Sequence, residues 1–208
     1  MSDSTAGTPL GVPYTNMICV VGRTASGKDT VVDRACMRYR AARRLRTYTT
    51  RDRRGPFDDG YVFVDDVEAD RLWPDAVLRT EVCGKRYFSM PDDVARASIG
   101  ILDPSGAIDL AGVPGRPVIV YLDTDRTQHS RDLRRQRFID RAVHDGVGEA
   151  EARRRFALRS GDEYVAFAHL ETVLSTLPCD VLRIAYDGTA HDLDRVSDIL
   201  AALMRANA

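Results

Sequence analysis

One nine-residue stretch constrains this chain more than any other. Gly22-Arg23-Thr24-Ala25-Ser26-Gly27-Lys28-Asp29-Thr30 follows the apolar run Met17–Val21 and opens Thr30–Tyr39, where Val31, Val32, Ala35 and Cys36 recur at helical spacing. A short continuous apolar run fits a parallel strand buried on both faces. Strand, glycine-rich loop and helix together spell G-x-x-x-x-G-K, a loop whose backbone N–H groups cradle phosphate oxygens. The glycines let the backbone come close, the helix N-terminus adds a favourable dipole, and Lys28 supplies a point charge for the β- and γ-phosphates. Asp29 stands where such loops carry Ser or Thr. A carboxylate there repels a triphosphate unless it faces a metal ion or turns away, so a helix-capping role is expected for it. Thr30 is then the hydroxyl expected in a magnesium shell.

Lysine is scarce elsewhere, which sharpens this reading. Of the 30 basic side chains only Lys28 and Lys85 are lysine, and Lys85 reads as a hairpin-turn residue. With 31 acidic side chains the formal net charge is -1, so total charge draws the chain to neither nucleic acid nor membrane. That balance weighs against reading the basic stretch Arg43–Arg54 as a nucleic-acid patch. Four scattered cysteines, and histidines in no ligand pattern, exclude a zinc site and a disulfide framework. The longest apolar runs, Met17–Val21 and Val118–Leu122, are too short to span a bilayer. Residues 1–16, without Lys or Arg and rich in Ser, Thr, Gly and Pro, read as a flexible leader and not as a signal peptide. The expectation is a cytoplasmic protein with one domain over 17–208.

Further strands are expected at Leu45–Thr50, Tyr61–Val64, Ala76–Val82, Lys85–Phe88, Ile101–Leu102, Val118–Leu122 and Val181–Ala185. Helices are expected at Val67–Trp73, from Met90, and at Ser105–Ala111, Thr127–Ala142, Glu149–Leu177 (broken near Ser160-Gly161) and Leu193–Met204. Strands separated by helices predict a three-layer α/β fold with a parallel central sheet. The strand-dense region 45–90 reads as a small β-rich insertion.

Several motifs behind the phosphate loop occur in a telling order. Thr49-Thr50-Arg51-x-x-Arg54 precedes Asp59-Gly60-Tyr61-Val62-Phe63-Val64; Tyr87-Phe88-Ser89 follows Gly84; Ile101-Leu102-Asp103 comes next. This series resembles the guanylate kinase family over nearly the whole chain from about Ile18. The resemblance implies a P-loop kinase fold with an NMP-binding insertion over about 45–90 and a helical lid over about 126–155. It implies transfer of the γ-phosphoryl of ATP, with Mg²⁺, to a nucleoside monophosphate, GMP or dGMP first. Arg51, Arg54, Tyr61 and Tyr87 would hold the acceptor phosphate, a task for which planar guanidinium donors suit. Thr47, Ser89 and Glu81 would meet the base, and Asp103 the acceptor phosphate or magnesium-bound water. Arg131 and Arg135, sharing a helix face at i,i+4, and Arg155 resemble the arginines that close over the triphosphate.

The sequence also departs from the family pattern. Phe88 replaces a glycine, Ser105 stands where a carboxylate belongs, and the acid between the second arginine and Asp59-Gly60 is missing. These departures keep other acceptors open: another dNMP, ribose 1,5-bisphosphate, or a modified base in DNA. A non-catalytic guanylate-kinase-like binding module is a further alternative, although such a module would be expected to lose Lys28 and the lid arginines. Nucleotides are the expected partners, with no membrane or nucleic acid, and the chain is expected to be a monomer or homodimer.

Overall fold

The computed structural model describes residues 14–53, 55, 58–124 and 126–207. The first strand, β1 (Ile18–Gly22), runs through the phosphate loop into α1 (Lys28–Arg38). Next come β2 (Tyr48–Thr49), β3 (Val62–Phe63), α2 (Asp66–Leu72) and the hairpin of β4 (Leu78–Val82) with β5 (Lys85–Ser89). Then follow α3 (Pro91–Arg96), β6 (Ile99–Ile101), α4 (Pro104–Ala111) and β7 (Val118–Asp123). Two long helices, α5 (Gln128–His144) and α6 (Glu149–Val173), precede β8 (Asp180–Ala185) and α7 (Ala190–Ala206).

The central sheet has the order β6-β1-β7-β8 and is parallel throughout. Alternation along β1 sorts its side chains between two cores. Ile18 and Val20 pack with Val31 and Val32 of α1 and Val196 and Leu200 of α7. Cys19 and Val21 pack on the other face with Leu110 of α4 and Phe167 and Leu170 of α6. Complete burial of β1 on both faces is why it reads as an unbroken apolar run. Each such side chain contributes roughly 1.5–3 kcal/mol on burial, so the three layers hold the loop on a rigid base.

The second sheet, β3-β2-β5-β4, is mixed: β2 pairs parallel with β3 and antiparallel with β5. Its own core is aromatic. Phe88 stacks on Tyr48 with ring centroids 5.3 Å apart and meets Trp73 edge-on at 5.6 Å. This sheet coincides with the expected β-rich insertion.

Three expectations change. The strand foreseen over Leu45–Thr50 is only Tyr48–Thr49, because Leu45 turns into the main core and its N–H donates to Ile99 O at 2.7 Å. The long helix α6 runs unbroken through Ser160-Gly161. One helical glycine costs about 1 kcal/mol, and anchoring of Phe167 and Leu170 in the core outweighs it. Of the expected leader, residues 1–13 lie outside the described residues, while Thr15 is buried and donates to Val94 O at 3.1 Å.

Candidate functional site

Gly27 ends the phosphate loop in a left-handed conformation (φ 92°), and a Cβ there would meet Tyr186 Oη at 3.0 Å. Only glycine fits that turn without strain. Lys28, at the first position of α1, donates from Nζ to Arg23 O at 2.8 Å. Burial, opposed chiefly by the Glu163 and Asp29 charges, lowers its ammonium to about 8. Burial likewise pushes the Tyr186 hydroxyl up to about 12. That hydroxyl and Ser26 Oγ are both buried without a hydrogen-bond partner.

Asp29 does not cap α1. The N-cap is Gly27, and Asp29 sits in the first turn and accepts from Arg44 Nη2 at 2.6 Å. Arg44 also pairs with Asp33, so the carboxylate next to the loop is neutralised from outside. Thr30 is exposed and is not among the residues lining the cavity described next. It occupies the solvent side of the first helical turn.

A cavity of about 510 Å³ joins the loop to the second sheet. Gly22, Thr24, Ala25 and Lys28 form one side; Thr47, Tyr61, Glu81, Tyr87, Ser89 and Asp103 line the other. The Thr47 and Ser89 hydroxyl oxygens lie 3.4 Å apart, and the Tyr61 and Tyr87 rings meet edge-on at 5.8 Å. Each Asp103 oxygen accepts one hydrogen bond: Oδ1 caps α4 by accepting from Gly106 N–H at 3.0 Å, and Oδ2 accepts from Thr80 Oγ1 at 2.8 Å, which leaves each oxygen a further lone pair. Thr80, which the sequence reading passed over, lines the cavity and is paired across the hairpin with Tyr87.

Arg51 is not on this wall. It is 8% exposed and holds Asp58 through two hydrogen bonds of 2.6 and 2.9 Å, with its guanidinium over the Tyr61 and Phe63 rings. Asp58 is an acid that lies in sequence between Arg54 and Asp59-Gly60. Arg54 lies outside the described residues.

The arginines of α5 and α6 differ most from expectation. Arg131 bonds Gln128 on the exposed side of α5, Arg135 is exposed, and Arg155 pairs with Glu151 at 2.8 Å on the surface. Arg134 and Arg159 reach the loop instead. Arg134 Nη1 donates to Thr24 O at 2.7 Å, and Arg159 Nε donates to Thr24 Oγ1 at 3.2 Å. Glu163, one turn beyond Arg159, accepts the Thr24 N–H at 2.7 Å. Arg141 also lines the cavity. The i,i+4 pair Arg131 and Arg135 lies on the exposed face of α5, and Arg134 between them faces the loop. The inward stripe of α6 runs Ala152, Phe156, Arg159, Glu163, Phe167, Leu170, and its aromatic members mark the two polar ones as inward-facing. Phe138 of α5 packs against Phe156 and lies four residues beyond Arg134.

This architecture has a counterpart among solved structures. A crystal structure of guanylate kinase from Anaplasma phagocytophilum superimposes with a TM-score of 0.54 at 16% sequence identity, over 93% of this chain and 86% of that one. The chain has a guanylate-kinase-like α/β P-loop fold. No family model matches the sequence, and no curated protein matches it. Among the described residues no helix is long and apolar enough to cross a membrane.

Proposed function

We propose that this chain is a nucleoside monophosphate kinase that transfers the γ-phosphoryl of ATP to an acceptor nucleotide, GMP or dGMP first. The observation that carries this reading is a continuous cavity that runs from the lysine-bearing loop to the hydroxyl- and carboxylate-lined wall of the second sheet. Loop N–H groups and Lys28 bind the donor phosphates. Thr47, Ser89 and Glu81 face the acceptor base, with Tyr61 and Tyr87 beside its phosphate. Region 45–90 serves as the acceptor-binding insertion and about 126–155 as part of the lid.

The attacking group is an acceptor phosphate oxygen, already ionised at neutral pH, so no general base is required. Catalysis then rests on alignment and on neutralising charge spread over the transferring group. Arg134 and Arg159, both already at Thr24, are the cations best disposed to supply that neutralisation, with Arg141 next. The donor set suits a magnesium ion carried in by the triphosphate. Ser26 Oγ is a buried oxygen without a hydrogen-bond partner, and Asp103 is a carboxylate on the cavity wall. Among the described residues no group of three or more acidic, His or Cys side chains forms a dedicated cage, which agrees with an ion held mainly by phosphate and water. When bound, magnesium would supply positive charge to offset that of the donor phosphates, with Ser26 and Asp103 the residues that would hold it. The hairpin of α5 and α6 excludes water that would otherwise accept the phosphoryl group.

An ADP-release assay over a panel of NMPs and dNMPs, with Lys28→Ala alongside, tests the reading. Turnover with GMP or dGMP that falls about 10³-fold in Lys28→Ala is expected. Silence with every acceptor sinks the kinase, and turnover confined to other bases sinks only the acceptor assignment.

A further inference from the structure

Every polar group of Thr24 is held by the two long helices: its carbonyl by Arg134, its hydroxyl by Arg159, and its N–H by Glu163. The partner of the N–H is an anion. Glu163 Oε1 lies 2.7 Å from Thr24 N, and its carboxylate lies 3.7 Å from both Arg134 Nη1 and Arg159 Nε. A loop N–H flanked by two guanidiniums and an ammonium is the environment that recognises a phosphate oxygen. Here a carboxylate of the chain itself occupies it.

Two further observations mark this contact as provisional. Glu163 is 9% exposed, yet its Oε2 has no hydrogen-bond partner. A buried carboxylate hydrogen-bonded on one oxygen only, with its ion-pair partners no nearer than 3.7 Å, holds its place at a continuing desolvation cost. Lys28, moreover, gives a hydrogen bond to its own loop at Arg23 O.

We propose that Glu163 is a resident counter-anion of the phosphate loop, an autoinhibitory latch that an incoming polyphosphate must displace. The proposal rests on reading Gly22–Thr30 as a phosphate-binding loop. Displacement hands the Thr24 N–H to the phosphate and releases Arg134 and Arg159 from the carboxylate to the same anion. Nucleotide binding is thereby coupled to the docking of α5 and α6 on the loop, since a ligand that competes with one partner shifts the population holding the other.

The test uses the full chain. Calorimetry measures tripolyphosphate and ATP affinity for wild type, Glu163→Gln, Glu163→Ala and the neighbouring control Asp162→Asn, and NMR follows exchange of the Thr24 amide. Both Glu163 variants are expected to bind tripolyphosphate about ten-fold tighter, as loss of one charge-assisted competitor predicts. Asp162→Asn changes affinity by less than about two-fold, because a charge exposed to water is screened. The Thr24 amide, slow to exchange in wild type, becomes fast in Glu163→Ala and slow again with tripolyphosphate. Equal or weaker tripolyphosphate binding in both Glu163 variants overturns the latch, as does equal tightening in Asp162→Asn. Should Glu163→Ala unfold, the isosteric Glu163→Gln decides. Tightened tripolyphosphate binding without any ATP binding leaves the latch standing and removes the nucleotide. ATP binding that neither Glu163 substitution changes does the reverse.

Discussion

The two sheets approach one cavity by different means. The central sheet contributes through backbone: β1 is apolar along its length, and what it delivers is a loop of N–H groups with one lysine. The second sheet contributes through side chains, with Thr47, Tyr61, Thr80, Glu81, Tyr87 and Ser89 presented over an aromatic core. A site made of backbone survives sequence change for as long as the strand and helix around it fold. A site made of side chains changes its ligand with each substitution. That contrast fits a fold shared with a guanylate kinase at 16% identity alongside cavity side chains of the second sheet that depart from the motif pattern.

The largest effect that bears on this contrast is loss of the loop's one lysine. Lys28→Ala is expected to lower turnover about 10³-fold, as removal of a positioned transition-state donor does. It should leave the melting temperature near wild type, since the fold already holds this ammonium below its ordinary pKa. A large drop in melting temperature would mean that Lys28 is structural, and the division between the sheets would break.

Next is the core of the second sheet. Phe88→Ala removes a side chain 1% exposed and stacked on Tyr48, a change expected to cost about 3 kcal/mol by denaturant unfolding. Native-state hydrogen exchange should show β2 and β5 losing protection while β1 and β7 keep theirs. Simultaneous loss in both sheets would show one cooperative unit in place of two. Smaller again is the second sheet's cavity wall itself. Thr47→Val with Ser89→Ala removes two cavity hydroxyls that lie 3.4 Å apart, and the acceptor KM should rise about ten-fold while ATP affinity stays put. An equal rise for ATP would place these hydroxyls on the donor side.

What the sequence disclosed follows the same division. Met17–Val21 and Val118–Leu122 were legible as strands because burial on both faces forces unbroken apolar runs. The loop was legible because a Gly-Lys pair between strand and helix has few other uses. The arginines that reach the loop were not. Arg131 and Arg135 satisfy i,i+4 spacing, yet which face of a helix turns inward depends on what it packs against. Phe138 and Phe156, which pack against each other, hold the answer, since Arg134 and Arg159 lie on their stripes. Arg51 was legible as a special arginine, but a basic residue at a motif position does not disclose its carboxylate partner, here Asp58 seven residues on. Arginine pairing elsewhere, as in Arg38 with Asp194 and Asp198, is surface chemistry of about 0–1 kcal/mol per pair.

The smallest effect is also the most specific to the backbone-built side, where Lys28 is the group whose charge is poised to change. Its folded value of about 8 lies below the ordinary 10.5. Below pH 8 the lysine is charged in folded and unfolded chains alike, and the cost of burying that charge is fully present. Between about 8 and 10.5 the unfolded chain alone keeps the proton, so this group makes the fold more stable as pH rises through that window. A polyphosphate beside the ammonium favours the charged form and moves its value back up. Binding at pH 8 should therefore take up about half a proton per site, falling toward none at pH 6.5, where the ammonium is already formed. Calorimetry in buffers of different ionisation enthalpy reads this number directly, with tripolyphosphate as ligand and Lys28→Ala as the control in which the uptake disappears. Uptake that persists in the control would belong to another group. Absence of uptake in wild type would mean that the bound anion never approaches Lys28, and the loop would then owe its anion affinity to backbone alone.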